Sequence, residues 1–162
     1  MFVNYKIPKR ENMEEAATTG TLVVATGVRI AIDPGKGEII LKANAGFELD
    51  FVPSTPAPKW FELAISLPWE QWRNCREIFL RYKASGSEIE VQPALRLGNT
   101  NDFHDHFSKE THLVGEETTE YGAAFVVSPR LAKAATWMDL HLFFTPKEGR
   151  FGLLDLCVTG VR

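Results

Sequence analysis

Asp139, His141 and Asp155 sit at alternate positions inside the two apolar runs that close the chain, Trp137–Phe144 and Phe151–Val158. A strand sends successive side chains to opposite faces. Met138, Leu140, Leu142 and Phe144 therefore form one face, and Trp137, Asp139, His141 and Phe143 the other. In the last run Leu154, Leu156 and Val158 oppose Phe151, Leu153, Asp155 and Cys157. The run Ile89–Leu97 splits in the same way, with Gln92, Ala94 and Arg96 opposite Ile89, Val91 and Leu95. In Glu77–Lys83, Phe79 and Arg81 oppose Ile78, Leu80 and Tyr82. Alternation thus proposes a second face carrying Arg81, Gln92, Arg96, Trp137, Asp139, His141 and Asp155, with Phe79 and Phe143 among them. Planar hydrogen-bonding groups beside aromatic rings suit a sugar: its hydroxyls take bidentate donors and acceptors, and its C–H faces lie on the rings. Arg81 and Arg96 would favour acidic substituents. The same alternation also suits a solvated outer face with incidental ion pairs, Arg96–Asp139 for example.

A second group lies in Asn101–His112, which holds three of the four histidines. His104 and His106 with His112 six residues on, joined by Asp102 or Asp105, have donor types that zinc accepts. Asn99, Asn101, Asp102 and Asp105 are donor types for a hard cation, so calcium is the candidate ion. Neither spacing is a recognised signature, and a plain polar loop fits as well. The chain has no Gly-x-Ser-x-Gly, no phosphate loop and no telling Cys–His spacing. Glu116, Glu117 and Glu120 stand in a solvent-like run rather than as a separated carboxylate pair. The expectation is a domain without catalytic activity.

These residues need strands to hold them, and the sequence supplies strand signals throughout. Thr21–Ala25 is apolar and β-branched, and Val28–Ile32, Ile39–Leu41 and Phe47–Phe51 alternate, with turn-forming clusters at Asp33–Gly37 and Asn44–Gly46. Pro53, Pro56 and Pro58 interrupt regular structure. Trp60–Leu67 is a further strand and Trp69–Trp72 a corner. Cys75–Lys83 and Ile89–Leu97 read as a long hairpin around Ala84–Ser87. Residues 98–120 read as a polar loop with one short strand near Leu113. Ala123–Val127 is a strand and 128–136 a loop or helical turn. The expected fold is an all-β antiparallel sandwich, a jelly roll of about nine to ten strands. Residues 21–162 form the single domain. Residues 1–20 form an N-terminal arm, with an arm or helical turn over the polar stretch 8–19.

The totals agree with one globular domain. The chain has 162 residues, 44% of them hydrophobic and 24% charged, and a net charge of −3. No basic stripe points to nucleic acid, and no apolar run is long enough to span a membrane. The N-terminus shows no Sec signal, so the expected location is the cytoplasm, or outside the cell as part of a released particle. Two cysteines, Cys75 and Cys157, are expected as free thiols.

Trp60–Leu63, Ile78–Tyr82, Trp137–Leu140 and Phe151–Leu156 together resemble the jelly-roll carbohydrate-binding modules and galactose-binding-like sandwiches. The resemblance implies a lectin-like domain that binds sugars on a concave face or at loop tips. Many such domains carry a structural calcium. The expected function is non-catalytic binding of a bacterial surface or capsular polysaccharide. The alternative is a structural or adaptor subunit, such as a fibre or spike component of a phage-like particle, working as a homo-oligomer or in a larger assembly.

Overall fold

A computed structural model describes residues 1–10, 14–44 and 46–162. In chain order its elements are β1 (Phe2–Lys6), β2 (Ala16–Thr18), β3 (Thr21–Ala25), β4 (Val28–Ile32), β5 (Gly37–Leu41), β6 (Phe47–Pro53) and β7 (Phe61–Leu67). There follow α1 (Trp69–Trp72), β8 (Glu77–Gly86), β9 (Ile89–Gly98), β10 (Phe103–Phe107), β11 (His112–Val114), β12 (Thr119–Val126), α2 (Pro129–Ala134), β13 (Trp137–Phe144) and β14 (Gly149–Val161). All strand pairs are antiparallel. The front sheet runs β10-β9-β13-β7-β4-β3, with β11 on β9. The back sheet runs β12-β8-β14-β6-β5-β2, with β1 on β14. The expected sandwich is present, with fourteen strands among the described residues rather than nine or ten.

The core lies between the sheets and is filled by the apolar half of each alternating strand. Phe51 packs on Phe61 and Phe144 with ring centroids 4.8 and 4.7 Å apart, and Phe144 meets Phe151 at 4.7 Å. These rings tie one sheet to the other, since Phe51 and Phe151 belong to the back sheet and Phe61 and Phe144 to the front.

Four expectations change. β8 and β9 do not form a hairpin: β8 pairs with β12 and β14, and β9 with β13, β10 and β11. The chain crosses between sheets at Ser87-Glu88, where Glu88 has φ 54°. Alternation fits either arrangement, because both apolar faces then meet one shared core. The 98–120 stretch, expected as a loop, contains β10 as well as β11 and the start of β12. In β14 the pairing register slips between Leu153 and Asp155. That bulge adds one residue, so Phe151 and Leu153 are core and Leu154 is exposed, opposite to the simple alternation. Finally, residues 1–20, expected as an arm, supply β1 and β2, which hydrogen-bond to β14 and β5. Glu11, Asn12 and Ala45, which the sequence assigned to a polar stretch and a turn, lie outside the described residues.

Candidate functional site

The outer face of the front sheet gathers five of the seven expected ligand residues. Strand register fixes the grid. Asp105 of β10 faces Arg96 of β9, which faces Asp139 of β13, which faces Ser66 of β7. In the next row Phe107, Ala94, His141, Ala64 and Arg29 are neighbours. Beyond it come Gln92, Phe143, Glu62 and Ala31. At the other end Phe103, Gly98 and Trp137 align.

Small residues shape the floor of this face. Ala31, Ala64 and Ala94 lie buried beneath their larger neighbours. At Gly98 a Cβ would meet the Trp137 indole, within 2.6 Å of Cε2 and Cη2. The indole therefore lies across Gly98, flat on the sheet, and its Nε1 donates to the Asn99 carbonyl at 3.2 Å. Trp69 from α1, Trp137, Ser66, Arg29 and Asp139 line an open cleft of about 440 Å³ beside it. Phe103 and Phe107 of β10 are each about half exposed (53% and 46%) and extend the aromatic surface.

The charged groups of the face pair with one another. Arg96 donates to both oxygens of Asp105, Nε–Oδ1 at 2.6 Å and Nη2–Oδ2 at 2.8 Å. Its guanidinium lies 4.2 Å from the Phe103 ring centroid. The hydrogen bond with Asp105 is the main cause that raises the Arg96 pKa further. Arg29 Nη2 donates to Asp139 Oδ2 at 2.8 Å. The expected Arg96–Asp139 pair is thus replaced by two others, because β10 and β4 bring nearer partners. Glu62 Oε2 lies 3.0 Å from His141 Nδ1, and Phe143 stacks on that imidazole at 5.4 Å and 9°. His141 is 0% exposed, so it shapes the face from below and does not touch a ligand. Gln92 Nε2 reaches the Ser108 carbonyl at 3.5 Å.

Arg81 and Asp155 do not join this site. Both lie on the outer face of the back sheet, where Arg81 is 3.9 Å from Glu120 and Asp155 is 3.5 Å from Lys6. The alternation placed them correctly as outward-facing, but β8 and β14 belong to the other sheet.

The expected cation residues also disperse. Strand alternation in β10 sends Asp105 to the outer face and His104 and His106 away from it, and the His106 ring packs edge-on against Phe125 at 5.9 Å. Asp105 is occupied by Arg96, and Asp102 Oδ1 accepts the Phe103 N–H at 2.8 Å. Among the described residues no group of three or more His, Cys, Asp or Glu is placed to hold a metal ion.

Sequence reasoning missed Arg29, Glu62, Ser66, Trp69, Phe103 and Phe107. The signal for the first three was present: Arg29-x-Ala31 and Glu62-x-Ala64-x-Ser66 are polar or small residues alternating with the apolar positions of β4 and β7.

No protein-family model matches the chain, and no curated protein sequence matches it. Solved structures do. The chain is similar to the CBM22-1 xylan-binding domain from Paenibacillus barcinonensis Xyn10C, with TM-score 0.54 and 13% identity over 96% of this chain and 94% of that one. It is similar to the CBM22-1-GH10 modules of Clostridium thermocellum endo-1,4-beta-D-xylanase 10B complexed with xylohexaose, with TM-score 0.55 and 8% identity over 94% of this chain and 27% of that one. It is similar to the xylan-binding module CBM15, with TM-score 0.51 and 11% identity over 92% and 99%. The shared property is the sandwich fold of carbohydrate-binding modules.

Proposed function

We propose that this chain is a non-catalytic carbohydrate-binding domain whose front-sheet outer face binds a polysaccharide. The observation that carries the reading is the Trp137 indole laid across Gly98 beside the Trp69–Arg29–Asp139–Ser66 cleft. A flat indole offers its ring face to the apolar C–H face of a sugar, and the cleft offers hydroxyls donors and acceptors within reach. Two of the similar structures are described as xylan-binding, which supports a glycan ligand for this fold. No carboxylate of the face stands ready as an acid–base pair: Asp139 is held by Arg29, Asp105 by Arg96 and Glu62 by His141.

The charge of the face bears on the sugar. Arg81 is on the other sheet, and both face arginines already have carboxylate partners. The contacted sugars are therefore neutral ones. A bacterial surface or capsular polysaccharide with neutral stretches fits this face better than one with an acid on every residue.

Calorimetric titration with soluble xylan, a mixed-linkage glucan and an acidic capsular polysaccharide tests the reading. A neutral glycan should bind, and Trp137→Ala should weaken it about ten- to a hundred-fold, ~1.4 to ~2.8 kcal/mol. Silence across neutral and acidic glycans would sink the proposal.

A further inference from the structure

The buried ring of His141 has one hydrogen-bonding atom that the fold leaves unmet. Nδ1 lies 3.0 Å from Glu62 Oε2. A carboxylate accepts, so Nδ1 holds the proton and donates it to Glu62. Nε2 is then a bare acceptor, buried and without a hydrogen-bond partner. It points at another acceptor, Asp139 Oδ2, 4.0 Å away. Two acceptors face to face make no bond, whereas a proton on Nε2 makes the contact attractive and draws the Asp139 carboxylate in from 4.0 Å to hydrogen-bond distance. The same Asp139 oxygen is the one that accepts from Arg29 Nη2 at 2.8 Å. Asp139 thus has two cationic partners in reach, one bonded now and one after protonation.

The groups that face His141 come from five strands. Glu62 is on β7, Asp139 on β13, Arg29 on β4, Arg96 on β9 and Asp105 on β10. Arg96 and Asp105 hold each other in a two-point bond, so they add no free charge. Ala64 and Ala94 flank the ring in register, and Phe143 closes it from above. The charge that a proton brings therefore arrives between two carboxylates, Glu62 and Asp139.

We propose that His141 is a proton-operated positioning residue: when its Nε2 takes a proton, Asp139 passes from Arg29 to the imidazolium. Arg29 keeps the bond from Nη1 to Ser66 Oγ at 3.4 Å, and its Nη2, in the cleft between Trp69 and Trp137, is then available to donate to a bound glycan. One proton moves from solvent to Nε2, and no covalent bond between heavy atoms changes. The direction follows: acidification tightens glycan binding. This part rests on the carbohydrate reading above, whereas the transfer of Asp139 does not.

The experiment has two arms. In ligand-free protein, nitrogen-resolved NMR follows the His141 ring and the Arg29 guanidinium from pH 8 to pH 5. Both should move with one shared midpoint. An Arg29 signal that ignores pH, or moves with a separate midpoint, would overturn the proposal. In the second arm, xylo-oligosaccharide affinity is measured at pH 8 and pH 5. The expected gain is about tenfold, the size of one charged hydrogen bond made available. His141→Asn keeps a donor toward Glu62 but takes no proton, and should flatten the profile. A pH gain that survives in H141N counts against the proposal. If H141N does not fold, Asp139→Asn replaces it: Arg29 should then cease to follow His141, and continued coupling overturns the idea. Co-titration in protein that binds no glycan would support the switch and count against the carbohydrate reading.

Discussion

Arg96 is held from three sides: by both oxygens of Asp105, by the Phe103 ring beneath the guanidinium and by the Phe143 ring 5.9 Å away. Both partners of the ion pair are four-fifths shielded, at 18% exposure each. Removing the arginine leaves Asp105 shielded and unpaired, which costs more than a surface pair would. Arg96→Ala is expected to lower stability by roughly 1–3 kcal/mol, read as a shift in the urea midpoint. A variant as stable as the parent would show that the pair contributes nothing. His112 gives a pH test. Its Nδ1 accepts the Tyr82 hydroxyl at 2.7 Å. Burial lowers its pKa, against the opposing pull of a hydrogen bond with the Gly122 backbone and of Glu110. The folded pKa is thus below the unfolded one, about 6.5. Between the two the unfolded chain binds more protons. The neutral ring's contribution is complete above pH ~6.5 and is lost as pH falls through the lower folded value. Urea melts at pH 7.5 and 5.5 should show that loss, and His112→Gln should show less of it. Equal losses in both proteins would remove His112 as the cause.

β13 does most to build the site among the elements. It pairs with β7 on one side and β9 on the other, so its outward residues sit mid-face with partners on both flanks. Its apolar residues, Met138, Leu140, Leu142 and Phe144, anchor it in the core. β9 contributes an absence: Gly98 has no side chain where Trp137 needs to lie. Gly98→Ala would drive the indole off the sheet, since the new methyl overlaps the ring. The expected result is a fold that persists with ~1–3 kcal/mol less stability, a red-shifted tryptophan emission and a glycan affinity that falls as it does in Trp137→Ala. Unchanged affinity in G98A would mean that the flat indole is not the platform. The period-2 pattern showed that Trp137 faces outward. It gave no sign that the residue across the strand pair is a glycine, because that needs the register.

On the scale of the molecule, the two sheets do different work. The front sheet presents aromatic rings and paired charges, while the outer face of the back sheet carries Arg81, Asp155 and the half-buried Cys157. Both cysteines are free, and burial pushes the Cys75 thiol upward. No disulfide therefore joins the sheets, and the Phe51–Phe61–Phe144–Phe151 contacts do that with apolar burial. Among the described residues no helix is long and apolar enough to cross a membrane.

Local order determined what the sequence showed by itself. Alternation is a property of neighbours in the chain, so it identified most of the strands, their inward and outward sides, and the all-β class. It put Trp137 and Asp139 on one side of β13 and Gln92 and Arg96 on one side of β9, and these four do share a face. Only the tertiary structure decided which strands are adjacent. A strand's two sides look the same whether it pairs with the next strand or crosses to the other sheet, so Arg81 and Asp155 were grouped with residues of the opposite layer. Arg29 and Glu62 reach the site through pairings distant in sequence, β4–β7 and β7–β13; Asp105 reaches it because 103–107, expected as loop, forms a strand on the preceding β9, which in turn pairs with β13. Burial on an outer face was equally out of reach. His141 is hidden because Ala64, Ala94 and Phe143 surround it, and that enclosure exists only once the strands carrying them lie side by side.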